Sequence, residues 1–272
     1  MTFPAYDELE KLVSLVMDSG KYADISPDLV RSIGQAELGK RQSLKDALKA
    51  TRSKLHQVGS AYQETSIPYA RWIKELANLS HSLDDPAAQT WLKSCMRMHA
   101  STHERLPILE RIYTETLASL GPFESVLDIA CGLNPLSIPW MPLKVGFSYH
   151  AVDIFSNMTD FLDQFFNHFG IQGRVETTDV LQNPPLEPVQ LALIMKTIPC
   201  LEQLNKQAGI RLLETICAET LLVSFPAKSL GGRSKGMVQN YEAHFRELTD
   251  GKNWQIERFE FPGELVFRVH KS

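Results

Sequence analysis

The chain has 272 residues, 43% hydrophobic and 22% charged, an ordinary globular usage that excludes a disordered or fibrous chain. Its formal net charge of −4 argues at first sight against a nucleic-acid partner, and no run of about 18 or more apolar residues is present to span a membrane as a helix. The N-terminus lacks a basic stretch followed by an apolar one, and Cys95, Cys131, Cys200 and Cys217 show neither CxxC nor metal spacing, so reduced thiols of a cytoplasmic protein are expected.

Residues 1–120 read as all-helical. Leu9, Leu12, Val13 and Val16 recur at helical spacing, and Gly20 closes that segment. Ser26 followed by Pro27 predicts an N-cap and a helix running toward Gly39. From Ser43 to Val58, Leu44, Ala47, Leu48, Thr51 and Leu55 share one side of a helix. Asp85-Pro86 opens another through Trp91, Leu92, Cys95 and Met96, and a further helix is expected from about 102 to 120, with Pro107 tolerated near its start.

Charge is distributed unevenly along this half. Between Arg31 and His56 the balance is +5, whereas residues 121–272 carry 13 basic and 17 acidic side chains. A basic N-terminal face is thus joined to a mildly acidic body. A run of this kind is either a solvated helix face or a docking surface for a polyanion, and the second half bears on the choice.

At Gly121-Pro122 the pattern changes. β-rich runs at 125–130, 147–154, 174–178, 191–196, 221–225, 255–261 and 265–269 follow, with helical stretches such as 157–169 and 201–215 between most of the early ones. Alternation of this kind implies parallel strands with crossover helices, a doubly wound α/β sheet. Pro262-Gly263 joins the last two strands as a hairpin. A Rossmann-like doubly wound sheet ending in an antiparallel hairpin is the outline of class I S-adenosylmethionine-dependent methyltransferases, here with an all-helical N-terminal extension.

In such sheets ligands bind beyond the carboxyl ends of the strands, where the strand order reverses. The first strand runs into Asp128-Ile-Ala-Cys-Gly-Leu-Asn-Pro135, a turn of small residues that admits close approach of a cofactor to the main chain. GxGxxG is absent, which disfavours a dinucleotide. The second strand ends at Asp153, placed to accept hydrogen bonds from both hydroxyls of a ribose. The third leads to Asp179 and Val180, where a carboxylate suits the exocyclic amine of adenine and the next backbone N–H a ring nitrogen.

Three segments, HASTHERL at 99–106, DIACGLNP at 128–135 and SFPAKSLGGRSKGM at 224–237, resemble the signatures of the aminoglycoside-resistance 16S rRNA methyltransferases that modify N7 of guanine 1405. The resemblance covers essentially the whole chain. It implies S-adenosylmethionine as cofactor, the assembled 30S subunit as substrate, a monomer, and resistance to 4,6-disubstituted deoxystreptamines such as gentamicin and amikacin. It also implies that Arg105 pairs with the methionine carboxylate, a role that suits a guanidinium fork, and that His99, Ala100 and Ser101 line the same end. Tyr62, Ala130, Asp153, Asp179, Val180, Met195 and Gln203 are the further cofactor contacts that it suggests.

Guanine N7 bears a lone pair and no proton, so its methylation needs no general base, and catalysis by positioning and desolvation is expected rather than a catalytic acid or base. Lys196, ending the fourth strand, either orients the target base or a nearby phosphate, or is a salt-bridged strand-end lysine. Phe155 and Phe225 are candidates to stack on an extruded guanine, or are core. Lys228, Arg233 and Lys235 surround Gly231-Gly232 in a second basic segment. Together with Arg31, Lys40, Arg41, Lys45, Lys49, Arg52, Lys54 and His56 they make two basic surfaces flanking the expected pocket, and rRNA docking by shape and phosphate contacts follows. Rival readings are a methyltransferase acting on N1 of adenine 1408, a non-catalytic RNA-binding protein that holds S-adenosylmethionine as a structural ligand, and a small-molecule methyltransferase. The last leaves the basic helices without a purpose.

Overall fold

A computed structural model describes residues 6–59, 67–228 and 236–271. The helical half comprises α1 (Tyr6–Met17), α2 (Pro27–Leu38), α3 (Leu44–Val58), α4 (Tyr69–Leu76), α5 (Pro86–Met96), α6 (Ala100–Arg105) and α7 (Leu109–Leu117). Two starts follow capping chemistry: the Asp46 N–H donates to Ser43 Oγ at 3.2 Å, and the Ala88 N–H donates to Asp85 Oδ1 at 2.8 Å. Ser26 occupies the cap position of α2 without a side-chain bond, and its backbone N–H instead donates to Ile154 O at 2.7 Å. That bond, with the Ile25–Phe155 bridge, staples the helical half onto the sheet.

The single helix expected from 102 to 120 is divided. Pro107 sits within a 3-10 turn, Leu106–Ile108, between α6 and α7, because its ring removes a donor and crowds the preceding turn. The helix expected over 201–215 is divided as well, into α9 (Ile198–Leu201) and α10 (Ala208–Thr215). There Asn205 Oδ1 takes the Gln207 N–H at 3.0 Å, an offer that competes with the helical ladder. Helix α4 was not anticipated, nor was α11 (Met237–Thr249).

All seven expected strands form: β1 (Phe123–Ile129), β2 (Leu143–Asp153), β3 (Gln172–Thr177), β4 (Val189–Met195), β5 (Ala218–Pro226), β6 (Trp254–Phe261) and β7 (Glu264–Lys271). Their order is β3-β2-β1-β4-β5-β7-β6, with the first five parallel and the β6–β7 hairpin entering antiparallel through β7. The order reverses between β1 and β4. Helix α8 (Ser156–Phe169) crosses from β2 to β3.

Alternate residues of the central strands feed two cores. In β4, Leu191, Leu193 and Met195 join the cluster that also contains Leu12, Leu55, Trp72 and Ile112, while Ala192 and Ile194 pack with Leu213, Phe245 and Phe267. The N-terminal helices therefore share a core with the sheet. Among the described residues no helix is long and apolar enough to cross a membrane.

Candidate functional site: a cleft at the carboxyl rim of the sheet

Where β1 ends, the chain turns through Ala130 (φ +50°) and Gly132 (φ +52°) into a 3-10 helix, Asn134–Trp140. A Cβ at Gly132 would come within 2.7 Å of His99 Cε1, so glycine lets the imidazole lie against the turn. Asp153, at the end of the neighbouring strand β2, accepts the Gly132 N–H at 2.9 Å through Oδ2 and the Ile154 N–H at 2.7 Å through Oδ1. Burial raises its carboxyl above the ordinary value, and these backbone donors oppose the rise. The Phe155 N–H is a further backbone donor to the same carboxylate. Beyond β3, Asp179 is buried, accepts the Leu181 N–H through Oδ1 at 2.9 Å, and is likewise raised by burial. Thr197 closes the reversal point by donating its hydroxyl to Ile129 O at 3.1 Å.

These groups border one cleft. It brings together His99, Ser101, Arg105, Ala130, Asp153, Asp179, Val180, Met195 and Lys196 from the expected set, and Phe155 from the stacking candidates. Gly132, and Leu29, Val58 and Gly59 from the helical half, also line it. Ala100 is half-buried and off the cleft, and Gln203 is exposed, its amide donating to Pro199 O at 3.5 Å. Tyr62 lies outside the described residues. Phe225 is core: fully buried, it stacks on Tyr241 at 5.1 Å and edges against Phe245 and Phe267. An inward position on β5 takes it away from any base.

At one end of the cleft stands a buried charge network that no local sequence pattern announces. Arg105 Nε and Nη2 donate to Glu264 of β7, the latter at 2.9 Å to Oε1, and Nη1 donates to Asn134 Oδ1 at 2.8 Å. One N–H remains on each terminal nitrogen. Lys196, at φ +59°, donates to Glu104 Oε2 at 2.6 Å and lies 3.5 Å from Glu264 Oε2. Of its two readings, the salt-bridged strand-end lysine is the arrangement observed. Burial drives Glu264 upward, but Arg105 and Lys196 outweigh it and hold the carboxyl below its usual value. His99, between the two cations, is pushed down to about 4 by burial and then by their charges, and its Nδ1 is buried without a partner.

The basic stretch of the helical half is two surfaces, not one. Lys45, Lys49, Arg52 and His56 follow the i, i+4, i+7, i+11 rhythm on the side of α3 opposite buried Ala47, Thr51 and Leu55. Lys21, ahead of the basic stretch in the chain, joins them, its Nζ 3.3 Å from His56 Nδ1. Arg52 is partly spent on Leu15 O at 2.6 Å. Lys54 lies on the other flank and meets Lys40 and Arg41 around Glu37. Arg31 is neutralised by Glu10 and Asp28 at 2.9 and 3.0 Å. Lys228 is exposed, and Arg233 and Lys235 lie outside the described residues.

Comparison with known proteins gives a consistent set of relatives. A family model described as ribosomal RNA methyltransferase (FmrO) matches residues 18–268. The chain is 34% identical to the 16S rRNA (guanine(1405)-N(7))-methyltransferase of Micromonospora rosea over 267 residues, 97% of each chain. It is 35% identical to the enzyme of the same description from Serratia marcescens over 258 residues, 94% of this chain and 96% of that one. Among solved structures it resembles the 16S rRNA methyltransferase RmtF in complex with S-adenosyl-L-homocysteine, at a TM-score of 0.80 and 28% identity, covering 99% of this chain and all of the other. The 16S rRNA methylase RmtB superposes with a TM-score of 0.79 at 29% identity, covering 97% of this chain and 98% of the other.

Proposed function

The chain belongs to the FmrO family of ribosomal RNA methyltransferases, and from that premise we propose that it methylates N7 of guanine 1405 in the 16S rRNA of the 30S subunit. The observation that carries this reading is the pair of buried carboxylates, Asp153 and Asp179, at successive strand ends on one side of the reversal point, facing a cleft whose other end holds Arg105.

The residues present fit S-adenosylmethionine. Asp153, with both oxygens already oriented by backbone donors, accepts the ribose hydroxyls. Asp179 and the Val180 N–H serve the adenine edge. Arg105 offers its two remaining N–H groups to the methionine carboxylate, with Glu264 and Asn134 holding the guanidinium in place. Neutral His99 brings an uncharged, unpartnered ring nitrogen to the same end. When bound, S-adenosylmethionine supplies an electrophilic sulfonium methyl. The protein's part is to exclude water, fix the line of approach and offer Phe155, which lines the cleft, to the base, since the attacking nitrogen carries no proton to remove.

The outward face of α3 carries the phosphate contacts, with Lys228 at the opposite side of the rim. N7 methylation leaves a fixed positive charge on the Hoogsteen edge of the guanine, which repels a polycationic aminoglycoside and removes an acceptor. Resistance to gentamicin-type drugs follows.

Borohydride and aniline treatment of 16S rRNA from 30S subunits incubated with the protein and S-adenosylmethionine tests the proposal. Strand cleavage at guanine 1405 is expected, because 7-methylguanosine is labile to this chemistry. Methyl incorporation without cleavage there, with a reverse-transcription stop at adenine 1408, would transfer the reading to the neighbouring site.

A further inference from the structure

Glu37 is an odd residue to find where it is. It sits near the end of α2, is 1% exposed, and faces no substrate cleft. Around it stand three cations, one from α3 and two from the turn between α2 and α3: Lys54 Nζ at 3.1 Å and Lys40 Nζ at 3.6 Å on Oε1, and Arg41 Nη2 at 3.1 Å with Nε at 3.3 Å on Oε2. One cation suffices to neutralise a buried carboxylate, and three leave the group with a surplus of two positive charges. Burial raises the Glu37 carboxyl, yet Lys54 and Arg41 overcome that and hold it below its usual value, so it remains ionised.

The arrangement is graded by depth. The carboxylate is inside, its side chain 2% exposed, while Lys54, Arg41 and Lys40 are 26%, 48% and 61% exposed. The negative charge is thus screened from solvent by the groups that it gathers, and an approaching anion meets only donors. Left to themselves, three neighbouring cations repel one another and spread, and each long side chain loses entropy when a ligand orders it. A buried anion behind them removes both penalties in advance.

We propose that Glu37 is a positioning residue that collects Lys40, Arg41 and Lys54 into a preformed site for one backbone phosphate of the rRNA. The site is separate from the outward face of α3, because Lys54 projects from the flank of that helix toward α2. Lys54 also lines a groove that runs from this cluster to Asp179, Val180 and Leu204 at the edge of the cofactor cleft. A phosphate held there places the RNA backbone along the route to the cleft. The inference rests on the rRNA reading above and deepens it by naming one contact and its organiser.

Its test runs against simple electrostatics. Glu37→Gln adds one positive charge to a polyanion-binding surface and on charge alone should tighten binding. The proposal requires the reverse: weaker binding of 30S subunits, by about fivefold to tenfold near 0.1 M salt, with S-adenosylhomocysteine affinity unchanged. A second variant, Lys40→Met with Arg41→Met, leaves Glu37 paired to Lys54 and should lower the slope of log affinity against log salt by about one. Tighter or equal binding by Glu37→Gln overturns the proposal. Should that variant fold poorly, an unchanged salt slope in the double variant overturns it instead. A slope lowered by about one in the double variant supports the phosphate. Failure of the wild-type protein to bind or methylate 30S subunits would sink the rRNA reading itself and is read separately.

Discussion

Charge is handled in opposite ways at the two ends of this molecule. At the rim of the sheet, Arg105, Lys196 and Glu264 are almost wholly buried, and both cations are paired with Glu264. On the outward face of α3, Lys45 and Lys49 are exposed to water. Buried charges cost several kcal/mol each to desolvate and repay it only in one geometry, so a single change there is steep and insensitive to salt. Solvated charges act additively, weakly and through the ionic atmosphere. The rim suits a small ligand that must be held in one pose, and the helix face suits an extended polyanion.

The largest effect belongs to the rim. Glu264→Gln leaves two buried cations short of a partner and should lower the unfolding free energy by about 3–5 kcal/mol in urea melts. Replacing the pair together, Arg105→Met with Glu264→Leu, should recover part of that loss while abolishing methyl transfer. Equal stability of wild type and Glu264→Gln would erase the contrast between the two regions. Next, Asp153→Ala removes an acceptor already aimed by two backbone N–H groups, and calorimetric affinity for S-adenosylhomocysteine should fall by about 10- to 100-fold. An unchanged affinity would take the ribose away from this strand end.

Two titrating groups in the same region pull against each other. Burial drives Asp128 up to about 7 from 3.8, although Asn134 and Tyr149 donate to it, and one of its oxygens has no partner. The fold holds a proton that the unfolded chain has released, so its stabilising share is full below pH 3.8 and is lost as pH rises toward 7. His99 is depressed to about 4 from 6.5, so its share is present above pH 6.5 and is lost as pH falls toward 4. Between these limits the two slopes oppose, each worth at most about 1.4 kcal/mol per pH unit. His99→Gln should therefore gain stability between about pH 7 and pH 5, and Asp128→Asn should lose it. Urea midpoints at intervals across that range decide, and parallel slopes in the two variants would remove both assignments.

How much of this was legible beforehand differs between the regions for a physical reason. The strands, their order of appearance and the two strand-end carboxylates could be read, because a period of two and a βα rhythm are local. Glu264 could not, since it meets Arg105 across 159 residues and belongs to a strand edge that only the fold brings to the rim. Phe225 stayed open between base and core, because a residue near a strand end can point into either layer. The basic stretch misled: charge was counted along the chain rather than around the helix. At 100° per residue, Lys54 already falls on a different flank from Lys45 and Lys49, and Glu37 within the stretch was subtracted from the total when it organises part of it.

On the solvated side the expected effects are smaller and depend on conditions. Lys45→Glu with Lys49→Glu should weaken 30S binding by about tenfold at low salt, and by much less near 0.5 M, with cofactor affinity untouched. Filter binding across a salt series measures it. A loss independent of salt would mean that α3 contributes shape alone.

The smallest effect returns to the rim and concerns the backbone. Among the described residues the two non-glycine residues at positive φ, Ala130 and Lys196, both stand at carboxyl ends of adjacent strands beside the cleft. Left-handed backbone costs an L-residue about 1–2 kcal/mol, and none of it is stored among the described residues of the helical half. Lys196 is unsuitable for a test because its side chain belongs to the charge network. Ala130 is suitable, its side chain being one methyl. Ala130→Gly releases the strain but gives the unfolded chain extra freedom worth about 0.5–1 kcal/mol, so a net gain below about 1 kcal/mol is expected. Thermal unfolding should rise by a few degrees at most, with S-adenosylhomocysteine affinity little changed. A fall in stability would mean that packing of that methyl against the cleft outweighs the strain, and the tension at the rim would then rest on Lys196 alone.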